Sequence, residues 1–409
     1  MMNVLLVNTY YYMRGGDCRS TFNIADMLRS RQHKVINFAM HHPINFPCEY
    51  SDYFSYYIDF PEEMAKRTLK AMINVLSTTF YNRGAAQKIR SLVRDMNPQI
   101  AHLNNYMHHL GISIVYALRN MRVPIVWTLR DYTAICPNTH LMCGSEICES
   151  CHKTKYFMAP LKKCKKGSFS ASFVAAMEGY FNRYCGGLRY IDLFIAPSEF
   201  LRNKAIEYGI PKRKIIHIPN FIKVSDYQPV YSKGCHFLYM GRLDEHKGVK
   251  TLLDAMKKLK DNRLLIAGDG PQKSELEEYA KDNSINNVEF LGHLRGERLK
   301  KTIADSIAVV VPSMWYEVFG LVIVEAYASG KPAITASIGG MTELVRDGVT
   351  GFLFEPGNAD QLADKMNYLA NHREEAQEMG KKGRGIAEQH YTPEVHYESL
   401  MKAYKFAVS

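Results

Sequence analysis

Two glutamates, Glu317 and Glu325, stand eight positions apart in the stretch MWYEVFGLVIVEAYASGKP, Met314 to Pro332. Between them lies the apolar start of a helical pattern, where an unpaired carboxylate would be costly. The run IAVVVP at 307–312 comes just before and reads as a buried strand. In parallel α/β sheets ligands bind at the carboxyl ends of the strands. Phe319, Gly320 and Leu321 are expected to form the first turn of the next helix, with Gly330 at its C′ position and Pro332 ending it. First-turn amides lack partners within the helix and the dipole is positive there, so this terminus suits an anion, and Gly320 allows a phosphate close. Glu317 then lies in the loop above the anion, and Glu325 roughly two turns down the helix. The two carboxylates can bracket a sugar nucleotide, one on the sugar hydroxyls and the other on the ribose. Spacing alone fits a solvated loop glutamate and a surface helix glutamate equally well.

Two further groups point the same way. After an apolar run at 236–240 come Gly241-Arg242-Leu243 and then Lys247-Gly248. Arginine forks bidentately to phosphate oxygens and lysine adds a point charge, so Arg242 and Lys247 together can neutralise a diphosphate. No Asp-x-Asp pair, the usual holder of a divalent ion on a diphosphate, occurs in the chain. Near the amino terminus, Gly15-Gly16 follows the first apolar run and can bring backbone amides to a phosphate. The G-x-G-x-x-G pattern of dinucleotide sites is absent there, which argues against a nicotinamide enzyme.

The elements that must position these residues form two blocks. Strands are expected at Asn3–Asn8, Lys34–Met40, Ile100–Asn104, Pro124–Leu129 and Ile191–Pro197, with helical patterns between most of them. The second block opens with strand 236–240 and continues with strands at 263–267, 288–292, 307–312 and 332–336, separated by helices. Strands alternating with helices of this length indicate parallel βαβ sheets. The expectation is an α/β protein of two doubly wound, Rossmann-like domains facing each other across a cleft. The first covers residues 1–222 and carries a Cys-rich basic insertion at about 136–167. The second covers 235–392. The polar segment 223–234 links them, and 393–409 reads as a helix that can pack back on the first domain.

Taken together, the motifs resemble the retaining family 4 glycosyltransferases with the GT-B fold. The resemblance runs from VLLVNTYYYMRGG through VPIVWTLRDYTAICP, FIAPSEFLRNKAIEYGI and IIHIPNFI. It continues through FLYMGRLDEHKGVKTLLDAM, LLIAGDGP and VEFLGHL, and through the E-x7-E stretch to GGMTELVRDGVTGFLFEPGN. It implies that Glu317 holds the donor sugar and Glu325 the ribose. Arg242 and Lys247 would bind the diphosphate of a UDP- or GDP-sugar, helped by Gly241 and the amides of Phe319, Gly320 and Leu321. Gly15 and Gly16 would form the first-domain loop over the donor phosphate. The implied reaction is a metal-independent, configuration-retaining hexosyl transfer to a hydroxyl of a glycan, with no cofactor required for catalysis. Many relatives read His-Asp at the end of the first-domain strand, where this chain has Arg130-Asp131. Arg130 and Asp131 are therefore acceptor-side candidates whose role differs from the usual one, since arginine is no general base at neutral pH.

Composition sets the surroundings. The 409 residues, 46% apolar and 23% charged, are ordinary for a folded protein, and the net charge of +11 favours anionic partners. Five of nine cysteines fall between Cys136 and Cys164. Cys148-x-x-Cys151 has the bite of a zinc pair that Cys164 with Cys136 or Cys143 can complete, His140 and His152 being spares, while a reduced cysteine-rich loop reads as well. Lysines at 153, 155, 162, 163, 165 and 166, with Tyr156, Phe157 and Met158 among them, suggest a membrane-surface contact or a solvated basic loop. No nucleic-acid motif is present. The expected setting is cytoplasmic, peripheral on the inner face of the cytoplasmic membrane, in cell-surface polysaccharide synthesis with a lipid-linked glycan as acceptor. A small soluble sugar acceptor and a catalytically silent nucleotide-sugar-binding subunit are the alternatives.

Overall fold

The computed structural model describes residues 1–58, 60–66, 68, 75 and 77–409. Short runs of Val, Ile and Leu form strands buried on both faces, as parallel sheets covered by helices require. The first sheet comprises β1 (Asn3–Val7), β2 (Lys34–Phe38), β3 (Ile100–Leu103), β4 (Ile125–Thr128), β7 (Leu193–Ala196) and β8 (Ile215–His217), in the order β2-β1-β3-β4-β7-β8. Every pairing in it is parallel. The second comprises β9 (His236–Met240), β10 (Leu264–Ala267), β11 (Val288–Gly292), β12 (Ser306–Val311), β13 (Ala333–Ala336) and β14 (Gly351–Phe354), in the order β11-β10-β9-β12-β13-β14. It too is parallel throughout.

The expected pair of doubly wound domains is therefore the architecture found. Each sheet reverses its winding once, at β1/β3 and at β9/β12, and the crevice at such a switch point is where ligands bind. Two edge strands escaped the sequence reading. β8 has three residues, and β14, GFLF, opens on a glycine, a residue depleted in strands.

Four helices matter for the site: α1 (Gly16–Ser30), α2 (Phe169–Tyr184), α3 (Leu321–Ala328) and α4 (Pro393–Val408). Helix α4 has left the second domain. Its Leu400, Ala403 and Tyr404 pack with Val4, Leu6, Ile100 and Val126 of the first sheet. Tyr404 Oη and Nδ1 of His102 share a hydrogen bond of 2.7 Å inside that layer. The chain thus crosses between the sheets twice, near residue 222 and again near 392. Between β4 and β7 lies the Cys-rich insertion, which carries a small antiparallel hairpin, β5 (Met142–Cys143) with β6 (Glu146–Ile147).

Candidate active site

Helix α3 begins two residues later than its sequence suggests. Gly320 is its N-cap, with φ +114° and ψ 58°, so Phe319 and Gly320 precede the helix and Leu321 is its first residue. A side chain would be strained at that φ, which fits glycine there. Glu325 is consequently the fifth helical residue, little more than one turn in. Gly330, φ +73°, ends the helix as expected.

The N-termini of α1 and α3 face each other across the cleft. A Cβ placed on Gly16 would lie 4.0 Å from Leu321 Cδ1. Gly15 is the N-cap of α1 in an extended conformation. Two sets of partnerless first-turn amides therefore converge on one space, the arrangement that best suits a multiply charged anion.

Glu325 is 2% exposed, and one turn below this junction its Oε1 accepts from Arg19 Nη1 at 2.6 Å and from Tyr227 Oη at 2.7 Å. Arg19 also donates to Tyr227 Oη at 3.1 Å. Arg19 comes from α1, Tyr227 from the linker and Glu325 from α3, so a three-residue network spans both domains. Sequence reasoning missed Arg19 and Tyr227, since nothing local distinguishes one helical arginine from another.

Glu317 sits in the loop after β12, as expected. Its Oε1 accepts from Lys247 Nζ at 2.6 Å and from Ser313 Oγ at 2.7 Å. Burial raises the pKa of this carboxyl. The charge and hydrogen bond of Lys247, with the Ser313 bond, outweigh that and leave it below its ordinary value. The carboxylate is thus ionised at neutral pH. Its loop is held from behind by Gly339-Gly340: Gly340 N donates to Glu317 O at 2.7 Å. Gly339, φ +63°, packs so tightly that a Cβ would lie 2.7 Å from the Glu317 backbone N and O. The glycine pair was visible in the sequence, but its purpose is only evident in three dimensions.

The two second-domain cations differ from expectation. Lys247 is committed to Glu317 and also lies 5.2 Å over the Trp315 ring. Arg242 turns outward, 63% exposed, and pairs with Asp244 at 2.8 Å. They do not form one diphosphate clamp in this conformation. Gly241 lies between them and the sheet, its backbone carbonyl packed against Gly268.

On the first-domain side, Arg130 follows β4 and forks onto neutral amides. Its Nε and Nη2 donate to Asn104 Oδ1 at 3.0 and 2.7 Å, and its Nη1 donates to Asn220 Oδ1 at 2.7 Å. Asp131 accepts from Thr133 N at 2.8 Å, which makes it a turn cap.

The Cys-rich insertion reaches the same loop as Glu317. Glu149 Oε1 accepts from Tyr316 Oη at 2.9 Å, and Tyr132 Oη donates to Tyr316 O at 3.0 Å. His140 packs on Trp315 and His246. The insertion thereby braces the backbone that presents Glu317. The zinc set expected from Cys136, Cys148, Cys151 and Cys164 is not assembled. Among the described residues no group of three or more His, Cys, Asp or Glu side chains is arranged to hold a metal ion. Cys151 instead packs with Tyr156, Ala159 and Ala176 in a small apolar core. Burial, reinforced by neighbouring thiols, pushes it up to about 12 and Cys164 up to about 11. The interleaved aromatics also divide: Tyr156 is buried, while Phe157 is exposed.

The family model described as Glycosyltransferase Family 4 matches residues 14–226, just over half of the chain, and that described as Glycosyl transferases group 1 matches 226–386. An uncharacterized glycosyltransferase of Methanocaldococcus jannaschii is 31% identical over 228 residues, covering 54% of this chain and 55% of that protein. The chain thus spans about half the length of that relative. An uncharacterized 42.6 kDa protein in the cps region of Klebsiella pneumoniae is 26% identical over 359 residues, 84% of this chain and 88% of that one. Among solved structures, HepE of Anabaena in complex with UDP-glucose superimposes with a TM-score of 0.72 at 19% identity, covering 99% of this chain and 100% of that chain. Sucrose-phosphate synthase from Thermosynechococcus elongatus does so with a TM-score of 0.72 at 20% identity over the full length of both. Two parallel doubly wound sheets, a cleft where two helix termini meet, and family matches covering both halves give one conclusion: the chain has the GT-B fold and belongs to glycosyltransferase family 4.

Proposed function

We propose that the protein is a retaining, metal-independent hexosyltransferase that moves a sugar from a UDP- or GDP-sugar to a hydroxyl of a lipid-linked glycan in polysaccharide synthesis. The observation that carries this reading is the convergence of the α1 and α3 termini beside the ionised Glu317–Lys247 pair. The diphosphate occupies the space between the termini, where fixed amide dipoles stabilise the charge that develops as the glycosidic bond breaks. Lys247 adds its charge there once the sugar takes its place against Glu317. Glu325, steadied at Oε1 by Arg19 and Tyr227, receives the ribose hydroxyls. Retention follows if the acceptor attacks from the face the diphosphate leaves, so no carboxylate nucleophile is needed.

The acceptor's lipid is supported by a surface of the first domain. Phe169, Phe173, Met177 and Tyr184 recur every four to seven residues along α2 and are 44–69% exposed; Phe157 and Leu161 beside them are 51% and 66% exposed. Lys153, Lys155, Lys162, Lys163 and Lys166 surround them, all exposed. An apolar strip rimmed by cations suits an anionic lipid surface. Among the described residues no helix is long and apolar enough to cross a membrane. Incubation with a panel of UDP- and GDP-sugars, reading nucleoside diphosphate release, tests the activity. Release from none of them, with no binding of UDP or GDP, refutes it. Sedimentation with anionic but not zwitterionic vesicles is expected, and a failure to sediment with either removes the lipid-linked acceptor in favour of a soluble one.

A further inference from the structure

Arg130 has more hydrogen-bonding capacity than its neighbours use. A guanidinium offers five N–H groups. Three are taken, two by Asn104 Oδ1 and one by Asn220 Oδ1. Two remain, and no carboxylate among the described residues lies within ion-pair distance of this side chain. Asp17 is the nearest acidic influence, and its Oδ2 is occupied by Asn105 Nδ2 at 3.3 Å. Burial holds the Arg130 pKa down to about 10, the direction expected of a cation lacking a counter-ion, yet it stays charged at neutral pH. Beside it, Asn104 is 1% exposed and its Nδ2 has no partner. Donors without acceptors are thus gathered at the carboxyl end of β4. Leaving such groups unpaired costs stability, and the cost is recovered when an acceptor arrives.

The position of this group identifies the acceptor. Tyr132, two residues beyond Arg130, donates to the carbonyl of Tyr316, the neighbour of Glu317. The loop after β4 therefore faces the loop that carries Glu317, and Arg130, which follows β4 with Asp17 of α1 as its main acidic influence, stands on the first-domain side of the cleft. The diphosphate has other partners, the two helix termini and Lys247. What remains for Arg130 is an anion on the sugar ring. A planar carboxylate matches a guanidinium fork with two parallel bonds.

We propose that Arg130 is the specificity-determining residue of the donor-sugar subsite and that the donor is a nucleotide uronic acid, its carboxylate held by the free N–H groups of Arg130. The inference rests on the nucleotide-sugar reading above. Calorimetric binding of UDP-glucuronate and UDP-galacturonate against UDP-glucose and UDP-galactose, with the GDP-sugars in parallel, tests it. A charge-assisted bidentate contact should favour a uronate donor by at least about tenfold. Arg130→Gln should abolish that preference and leave UDP affinity within about twofold, which also serves as the folding control; Arg130→Lys should keep part of it. Equal affinity for uronate and neutral sugars in the unaltered protein overturns the proposal without touching the glycosyltransferase reading. So does an Arg130→Gln protein that loses affinity for UDP itself, because Arg130 would then serve the diphosphate. Binding of neither UDP nor GDP by the unaltered protein is the distinct outcome in which the underlying reading fails.

Discussion

Arg19 of the first domain and Glu325 of the second are joined by an ion pair of 2.6 Å across the cleft, with Tyr227 bonded to both. Glu325 is almost fully buried and Arg19 about one-third exposed, so the pair closes the base of the cleft rather than decorating its rim. Removing Arg19 leaves a buried carboxylate with only a phenol for a partner, which costs about 2 kcal/mol or more. Arg19→Ala should lower the apparent Tm by about 4 °C or more and weaken UDP binding, because the two helix termini lose their register. Arg19→Lys should recover most of the melting temperature. Unchanged melting and unchanged UDP affinity in Arg19→Ala would mean the contact is incidental.

Glu317 can be probed with a substitution that preserves shape. Glu317→Gln keeps an acceptor for Ser313 and removes the charge that holds Lys247. If the carboxylate binds the donor sugar most tightly in the transition state, turnover falls about 100-fold, equivalent to about 2.7 kcal/mol, with thermal melting little altered. Near-normal transfer by this variant would remove Glu317 from the mechanism.

How much of this was legible beforehand depends on whether a feature is local. Runs such as NVLLV and IAVVV announce buried parallel strands because every residue in them is apolar, and Gly320 and Gly330 punctuate α3 through backbone conformations few other residues adopt. Pairings between distant residues leave no such mark. Arg19 and Glu325 lie 306 positions apart, and Arg130 meets Asn104 and Asn220 only after the sheet has formed. Lys247 was expected to face a phosphate and instead holds Glu317, a carboxylate seventy positions away that no local pattern ties to it. The cysteine loop stood out by composition, yet composition does not orient thiols, and packing against Tyr156 decides where Cys151 points.

The buried histidines set the acid side of stability. Burial lowers His396 to about 4 and His102 well below its ordinary 6.5. His396 Nδ1 donates to Pro219 O at 2.8 Å while its buried Nε2 has no partner, so a second proton there would have no acceptor. Below pH 6.5 the unfolded chain binds these protons and the folded one does not, so stability falls as the pH drops from 6.5 toward 4. Each histidine contributes a slope of up to ~1.4 kcal/mol per pH unit. The depressed Glu317 carboxyl acts lower, where its contribution is lost as the pH falls through its folded pKa. Urea midpoints measured between pH 8 and 4.5 should decline below 6.5, and His396→Asn should shallow the decline. A flat profile across that window would show that these histidines protonate in the folded state.

The last prediction concerns how the leaving group is stabilised. The departing diphosphate gains charge, and a site partly closed to water must supply the compensation. The chain has no Asp-x-Asp pair, and the groups proposed to meet the diphosphate are Lys247 and the termini of α1 and α3. Activity should therefore be insensitive to EDTA. Lys247 begins bonded to Glu317, so it is released to the diphosphate only when the donor sugar engages that carboxylate. The coupling makes its charge matter more as the bond breaks than when the donor binds, and Lys247→Ala should lower kcat by a larger factor than it raises KM. The same variant leaves Glu317 buried beside Ser313 without its counter-ion, so its carboxyl should titrate at higher pH and the acid limb of the kcat profile should move upward. Arg242, exposed and held by Asp244, should matter less than Lys247 unless closure brings it inward; Arg242→Lys then separates the cases, because one ammonium cannot replace a bidentate fork. Immediate loss of activity in EDTA, restored by Mg²⁺ or Mn²⁺, would assign the charge to a metal and leave Lys247 as a structural partner of Glu317.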